Sequence, residues 1–522
     1  MLLEKVSFAD THSFSSFFLD YIQQKESLRS FYHRFAQLEN FKEQIKEKST
    51  FSVSQRKILA DTLQKQYRGL ATAIPVKNNI ESLSHSNTFT ITTGHQLNIF
   101  TGPLYFIYKI VTVINACRKL KAALPDYHFV PVYWMASEDH DFEEISYFYL
   151  YGKKYTWQTD QRGAVGRFNT QGLDGLMSEI PGGLKIFKEA YAKSTLSEAV
   201  RFYVNELFGA EGLVVIDADE RAFKNALKGV IQDDLLNHTA RQRVDECTSH
   251  LETLGYKTNV NARDINFFYL DSGIRSRIEK SGEDFNVLDS SLHFSKNQVV
   301  KMIQEEPEKF SPNVILRPIY QELILPNLAY VGGPAEVCYW LQLKNLFTHY
   351  QLPFPIVMPR NFALVMDAAI RRKFEKTGLE VKDLFEEKNY LFNHWVVKNT
   401  HDNLTLTDSI NAVNNIFADI KARALMIDKT LGPLVSAETK EVLNRLEKIE
   451  AKFLKAERRL HSDKLRQIEV IKDTLFPQDD LQERHDNFLT FYQQDPEFIT
   501  KLMDCFDPLA FQFNVLSYHD QG

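Results

Sequence analysis

The chain has 522 residues, 44% hydrophobic and 25% charged, with a formal net charge of −6, so two or three structural units are expected and a general affinity for nucleic acid is not. The four cysteines lie far apart in the sequence, which is typical of a reducing compartment and argues against a disulfide framework or a thiolate zinc site. Because there is no leader pattern and no run of about 18 apolar residues, no membrane segment is expected, and the predicted location is the cytoplasm.

Residues 1–75 predict a helical segment packed on the core. Aromatic side chains such as Phe17, Phe18 and Tyr21 recur at near-helical spacing within residues 10–72. Several helices that bury these rings are the simplest interpretation.

Residues 88–141 predict a strand, a turn, a helix and a second strand. Thr88–Thr93 alternates β-branched and aromatic side chains, and Gly94 is expected to end the strand because glycine accepts backbone angles that other residues resist. Apolar residues then recur at helical spacing from Leu104 to about Leu120. Phe129–Ala136 is almost wholly apolar, as expected of a parallel strand buried on both faces.

Polar side chains follow both of these strands and are expected to share one crevice at the carboxyl edge of the sheet. After the second strand come Glu138, Asp139, His140 and Asp141. A histidine between carboxylates can act as a general base or a metal ligand, although a strand that has simply reached solvent would look the same. Because side chains alternate along extended backbone, Glu138 and His140 form one candidate set and Asp139 and Asp141 the other.

The turn after the first strand predicts an anion site, because backbone N–H groups at the start of a helix favour negative charge. Turn glycines are more often only turns, and a lysine on the helix is equally explained as a solvated side chain. The residues of this candidate site are Gly94, His95, Gln96, Thr101, Gly102 and Lys109.

Further along, Leu213–Ile216 reads as another strand of the parallel sheet, and Asp271-Ser272-Gly273 predicts a hairpin in an inserted segment. The segment after it is dense in arginine, aromatic residues, glycine and proline. An arginine there suits a carboxylate by bidentate pairing, but bracing of the fold is an equal alternative. The candidate substrate-binding residues of this segment are Arg317, Gln321, Glu322, Asn327, Tyr330, Gly332, Gly333, Glu336 and Arg360.

Residues 371–476 predict a helical arm. An apolar seam with spacings of three and four runs from Ile410 to Leu431, Gly432-Pro433 is expected to end that helix, and Ser436 to cap an antiparallel second helix. The charged residues of the arm alternate in sign, which indicates a solvated face rather than contact with nucleic acid. The seam exceeds what two helices bury by themselves, so a homodimer through the arm is expected. The aromatic tail, residues 477–522, is expected to pack back on the body.

Three long segments resemble one known family, the cysteine ligases of bacillithiol biosynthesis. They are TTGHQLNIFTGPLYFIYK, VPVYWMASEDHDFEE and RPIYQELILPNLAYVGGPAEVCYWLQLK, and the resemblance runs from about residue 88 to about residue 365. The family usually has Gly-Gln-Gln where this chain has Gly94-His95-Gln96. The resemblance implies an α/β fold: a Rossmann-like parallel-sheet core over residues 76–370, with inserted connecting segments and an antiparallel α-helical coiled-coil arm.

The resemblance also implies a ligase that adds L-cysteine to glucosaminyl malate, the last step of bacillithiol biosynthesis. Amide formation from a free carboxylate is uphill in water, so ATP with magnesium is the expected activator, through either an adenylate or an acyl phosphate. Two alternatives stay open: a metal-assisted hydrolase that uses Glu138, Asp139, His140 and Asp141, and a helical-arm scaffold without catalysis.

Overall fold

The computed structural model describes residues 1–182, 185–400 and 404–518. The strands are β1 (Leu2–Val6), β2 (Thr88–His95), β3 (His128–Met135), β4 (Tyr147–Leu150), β5 (Lys153–Thr156), β6 (Val214–Asp217), β7 (Phe267–Asp271), β8 (Ile274–Ser281), β9 (Asp284–Val287), β10 (His293–Phe294), β11 (Phe310–Pro312), β12 (Asn327–Gly332), β13 (Ile356–Pro359), β14 (Phe362–Met366) and β15 (Phe513–Ser517).

The α-helices connect and cover these strands. They are α1 (Ser16–Ile22), α2 (Leu38–Lys48), α3 (Val53–Gln66), α4 (Ile74–Ser82), α5 (Tyr105–Ala123), α6 (Phe142–Ile145), α7 (Leu173–Glu179), α8 (Lys185–Ala190), α9 (Leu196–Phe208), α10 (Arg221–Lys224), α11 (Lys228–Asn237), α12 (Thr239–Thr253), α13 (Lys296–Glu305), α14 (Arg317–Ile324), α15 (Pro334–Leu341), α16 (Lys344–His349), α17 (Ala368–Glu375), α18 (Lys388–Asn399), α19 (Thr407–Ile427), α20 (Leu431–Leu460), α21 (Ser462–Leu475), α22 (Gln482–His485), α23 (Leu489–Tyr492) and α24 (Phe498–Cys505).

The central sheet has five parallel strands in the order β13-β12-β2-β3-β6. Every residue of β2 is buried, as is all of β3 except its first residue, because helices cover both faces of the sheet. A separate antiparallel sheet, in the order β10-β9-β8-β7-β11, and the β4–β5 hairpin are the inserted segments. The predicted Rossmann-like fold with connecting insertions is confirmed, including the hairpin at Asp271-Ser272-Gly273.

Gly94 does not end the first strand, as the sequence had predicted. It lies inside β2, which continues to His95, and pairs with Trp134 of β3. Its backbone is not in the left-handed region; the missing side chain matters for another reason. A Cβ on Gly94 would lie 3.3 Å from the Tyr330 hydroxyl and 3.7 Å from Arg317 Nη1. The glycine therefore permits close approach of two side chains to the strand.

The arm turns earlier than predicted. Helix α19 ends at Ile427, and α20 begins at Leu431, so Gly432-Pro433 lies in the first turn of the second helix. Proline is accommodated there because the first amides of a helix have no intrahelical partner. Ser436 is not a cap; its hydroxyl donates to the Gly432 carbonyl at 3.0 Å within the helix. A break at His461 then separates α20 from α21, which packs into the body.

The two ends of the described chain meet in a third sheet, β1-β15-β14. Residues Leu2–Val6 form a strand antiparallel to Phe513–Ser517, which the helical interpretation of residues 1–75 missed. Phe513, Val515 and Leu516 are buried, so the tail packs on the body through Ser517, and residues 519–522 lie outside the described part. None of the described helices is long and apolar enough to cross a membrane.

Candidate functional site

A cleft of about 460 Å³ lies beyond the carboxyl ends of β2, β3, β12 and β13, where parallel sheets usually bind ligands. The structure brings the two predicted polar clusters together there: Gln96 Nε2 donates to Asp139 Oδ2 at 2.6 Å. The predicted site residues that line this cleft are Gly94, His95, Gln96, Lys109, Glu138, Asp139, Arg317, Tyr330, Gly333, Glu336 and Arg360.

Arg317 is the cation of the cleft that has no acidic partner within the described residues. Its Nη1 atom donates to Gln321 Oε1 at 3.1 Å and its Nη2 atom to the Tyr339 hydroxyl at 3.3 Å. The guanidinium group lies over the Tyr330 ring, 5.2 Å from its centroid, and next to Gly94. Neutral neighbours orient this charge without neutralising it, so it is available to an anionic ligand.

Lys109 and Glu336 form a buried pair that is already satisfied. Lys109 Nζ lies 2.5 Å from Glu336 Oε2 and donates to the Gly94 carbonyl at 2.9 Å. Glu336 also accepts from the Tyr330 hydroxyl at 2.5 Å and from the Gly333 amide at 2.7 Å. Burial alone would raise the pKa of Glu336, but Lys109 and these hydrogen bonds lower it below its usual value. The Gly333 amide, which precedes α15, is therefore occupied by Glu336 and is not open to an anionic ligand.

Glu138 and Asp139 both line the cleft, although strict alternation predicted opposite directions. Strand β3 ends at Met135, so the alternation no longer applies at these residues. The Glu138 carboxylate is ion-paired with Lys224, a buried lysine that also donates to the Phe310 carbonyl at 2.7 Å. Burial raises the pKa of Glu138 despite this cation. A carboxylate with a raised pKa binds a proton more readily than an ordinary carboxylate, which suits a group that accepts and returns a proton.

Asp139 has the opposite electrostatic environment. Burial would raise its pKa, but His140, Arg275 and Gln96 lower the pKa well below its usual range. Arg275 Nη1 donates to Asp139 Oδ1 at 3.0 Å, and its guanidinium group stacks on Phe268. Asp139 is therefore a permanently charged group that positions its neighbours.

His140 and Asp141, in contrast, do not line the cleft. The His140 side chain is half exposed and faces a neighbouring recess, and its Nδ1 atom lies 2.6 Å from Arg275 Nη1. Asp141 caps α6 by accepting from the Glu144 amide at 3.2 Å. The chain turns away from the sheet at Asp139, which separates the predicted cluster of four.

His95 lies in the cleft wall and is only 8% exposed. It packs against the rings of Tyr105 and Phe106, and its Nε2 atom has no hydrogen-bond partner. Burial, followed by the nearby charges of Lys109 and Arg360, holds the pKa of His95 well below its usual value. The ring is therefore neutral, and its Nε2 atom is buried without a hydrogen-bond partner.

Five predicted site residues lie behind the cleft. Glu322 pairs with Lys48 at 2.7 Å and accepts from Asn327 at 2.7 Å, and Gln321 bridges Glu322 to Arg317. These contacts agree with the alternative interpretation of this segment, in which its polar residues brace the fold. The remaining two, Thr101 and Gly102, belong to a loop with positive φ angles at Phe100, Thr101 and Gly102.

Arg360 and Gly332 have structural constraints of their own. Arg360 lines the cleft, but its Nη2 atom pairs with the buried carboxylate of Glu483 at 2.6 Å. A Cβ on Gly332 would lie 2.8 Å from the Glu336 Cβ. Arg360 is therefore already ion-paired, and Gly332 is required for close packing, so neither is as available to a ligand as Arg317.

Sequence reasoning missed several residues of the cleft. They are Tyr105, Glu144, Arg275, Tyr339 and Arg484 in its lining, and Lys224 behind Glu138. Lys224 and Arg275 lie on a helix and a hairpin where a lone cation usually indicates a solvated side chain, so the sequence carries no signal for them. Across the described residues, no three His, Cys, Asp or Glu side chains are grouped so as to hold a metal ion.

Two family models match consecutive parts of the chain, and both describe the same family. Residues 1–361 match the model described as "Bacillithiol biosynthesis BshC, N-terminal Rossmann-like domain", and residues 363–518 match "Bacillithiol biosynthesis BshC, C-terminal coiled-coil domain".

Relatives named "Putative cysteine ligase BshC" match over most or nearly all of the chain. The protein of Flavobacterium psychrophilum is 39% identical and covers 98% of this chain and 99% of its own length. That of Cytophaga hutchinsonii is 39% identical over 99% of both chains, and that of Chlorobaculum tepidum is 30% identical over 84% of both. The chain therefore belongs to the BshC family of bacillithiol biosynthesis.

Proposed function

We propose that the protein is a ligase that joins L-cysteine to glucosaminyl malate and so forms bacillithiol. The name of its relatives supports a cysteine ligase, and the family supports the pathway. The observation that carries the assignment is Arg317, a cation in the cleft without an acidic partner among the described residues. An anionic substrate would supply that partner.

The malate carboxylate is the group that Arg317 would bind. A guanidinium group pairs with a carboxylate through two parallel hydrogen bonds, which fixes orientation as well as charge. Tyr339 and Gln321 hold the guanidinium group in place from the other side.

Glu138 is the residue proposed to accept a proton from the sugar amine. Only the neutral amine attacks an activated cysteine carboxyl group, and a base within hydrogen-bond reach lowers that barrier. Glu138 lines the cleft and its pKa is raised by burial, whereas His140 faces the neighbouring recess. Lys224 keeps the carboxylate oriented.

ATP, with magnesium, is proposed as the co-substrate that activates the cysteine carboxyl group. Arg275 and Arg484 line the same cleft and are cations that could hold its phosphates. Charged groups of this kind stabilise a polyphosphate without a glycine-rich loop.

The test is a reaction of pure protein with L-cysteine, glucosaminyl malate and magnesium ATP, in which bacillithiol is followed by mass. ATP consumption is expected to require both other substrates. Product formed equally well without nucleotide would eliminate ATP as the activator.

A deletion strain tests the pathway step separately from the conditions in vitro. Accumulated glucosaminyl malate with no bacillithiol is the expected result. Normal bacillithiol in that strain would refute the proposed function.

A further inference from the structure

Arg201, on α9, is a buried cation that no carboxylate of the described residues balances. Its side chain is 7% exposed, and its Nη1 and Nη2 atoms reach only the Gln66 carbonyl at 3.5 Å and Gln66 Oε1 at 3.2 Å. The Nε atom has no acceptor. Buried Lys48 has an acid beside it, and buried Arg56 donates to three backbone carbonyls, whereas Arg201 has neither an acid nor a full set of acceptors. A buried charge without a counter-charge is costly, so the geometry indicates an anion that comes from solution.

Arg201 opens into a recess of about 450 Å³ beyond the carboxyl end of β6, here called the Arg201 recess. Arg68 and Lys193 line it as well, and neither is ion-paired with an acid of the described chain. The hydroxyl groups of Thr195 and Ser197 also line it. The recess therefore combines three available cations with two hydroxyl donors.

The acids of the recess are engaged elsewhere. Glu220 lies 3.5 Å from Lys65, and Glu198 Oε2 accepts from the Ser194 amide at 3.1 Å. Asp217 Oδ1 accepts from the Ser137 hydroxyl and from the Asp219 amide. None of them forms an ion pair with Arg201, and the four cations that line the recess (Lys65, Arg68, Lys193 and Arg201) outnumber its three acids by one positive charge.

Gln66 connects the recess to the main cleft. Its Oε1 atom accepts from both Arg201 and the Asp217 amide, and its Nε2 atom donates to the Asp217 carbonyl at 2.7 Å. Asp217 in turn holds Ser137, the residue before Glu138. An anion that reorients Arg201 would act on one hydrogen-bonded chain that ends beside the cleft.

We propose that the Arg201 recess binds a phosphate group, either inorganic phosphate or a phosphate ester. A guanidinium group matches the oxygens of phosphate bidentately, and two further cations suit its double charge. This inference is independent of the proposed ligase function, because it needs only binding.

The experiment is isothermal titration of the full-length protein with inorganic phosphate and, separately, with methyl phosphate. We expect saturable binding at millimolar concentration or below, and the tighter of the two ligands identifies the source. Arg201→Gln is expected to weaken binding by about tenfold or more, the usual effect of losing a hydrogen bond to a charged group. Lys193→Gln, at the more exposed wall of the recess, should weaken it several-fold and carries the test if Arg201→Gln does not fold.

Two controls separate this site from other cations. Lys57→Gln makes the same charge change on an exposed part of α3 and should bind phosphate as the wild type does. Lys421→Gln, on the exposed arm helix α19, should also leave phosphate binding intact. Absence of saturable binding, or an unchanged affinity in both Arg201→Gln and Lys193→Gln, would overturn the proposal.

Discussion

At the residue scale, the cleft contains cations that are ion-paired with acids and one cation that is not. Lys109 is paired with Glu336 and Arg360 with the buried Glu483, so removing either cation would leave an acid without its partner and disturb the fold. Arg317 has only neutral hydrogen-bond partners. Its substitution should therefore weaken ligand binding more than it destabilises the fold.

Arg317→Ala is predicted to raise the KM for glucosaminyl malate by tenfold or more. The lost charge-assisted hydrogen bonds are worth about 1.5–3 kcal/mol. Arg317→Lys should recover part of this loss, because a lysine keeps the charge but not the bidentate geometry. Steady-state kinetics at saturating cysteine and ATP measure the effect, with the exposed Arg243→Lys as a control. An unchanged KM for glucosaminyl malate in Arg317→Ala would show that the anion lies elsewhere.

Asp234 predicts a measurable dependence of stability on pH. Burial raises its pKa from 3.8 to about 7, against hydrogen bonds from Asn266 that lower it. The folded protein thus holds this proton more tightly than the unfolded chain. The stabilisation is complete below the unfolded pKa and is lost as the pH rises toward 7.

The measurement compares the unfolding free energy of the wild type with that of Asp234→Asn between pH 4 and pH 8. Because Asn does not titrate, the unfolding free energy of the wild type should fall relative to that of Asp234→Asn as the pH rises, by a few kcal/mol at most. A difference that is constant over this range would contradict the assigned shift.

Single residues also show what the sequence could and could not predict. Gln96 and Asp139 were expected in one crevice because strand ends of a parallel sheet share an edge, and their hydrogen bond bears this out. The direction of His140 depends on where β3 ends, which strand alternation does not specify. Lys224 reaches Glu138 across 86 residues of sequence, and no local pattern encodes such a contact.

At the scale of elements, the helical arm leaves much of its apolar seam exposed. Within α19 only Ala424 is buried and within α20 only Gly432, while Ile420 and Phe453 are 43% and 44% exposed. The heptad pattern predicted the helices well. It did not predict the turn at residues 428–430, because Gly432-Pro433 reads equally well as the end of one helix or the start of the next.

The arm is predicted to make the protein a homodimer, since paired arms would cover this apolar surface. Light scattering over a wide concentration range measures the mass. Replacing Ile420 and Phe453 together by Lys should give monomers. The control is Lys440→Glu, a charge reversal at an exposed position of α20, which should leave the dimer intact. A wild-type protein that stays monomeric at every concentration would defeat the prediction.

At the scale of the whole molecule, the tail holds the loop that precedes α5. Asn487 Nδ2 donates to the carbonyls of Phe100 and Gly102 at 2.8 and 2.6 Å. Phe100 and Thr101 have φ angles of 51° and 73°, a region that costs residues with a Cβ about 1–2 kcal/mol each. The tail therefore stabilises a strained connection between β2 and the helix that carries Lys109.

Asn487→Ala is predicted to lower the unfolding free energy by about 2–5 kcal/mol, because two buried carbonyls lose their donor. Thermal and denaturant unfolding measure this loss, and the exposed Asn411→Ala on the arm is the matched control. If Asn487→Ala unfolded together with the wild type, the loop would not depend on the tail.

The third sheet, β1-β15-β14, has a consequence for biosynthesis. Leu2–Val6 is synthesised about 500 residues before its partner Phe513–Ser517. At synthesis rates of ~5–20 residues per second, the first strand waits tens of seconds for the residues that pair with it. Until then the newly made strand β1 lacks the partner strand of the folded protein, so this sheet forms only after the residues between the two strands have been made.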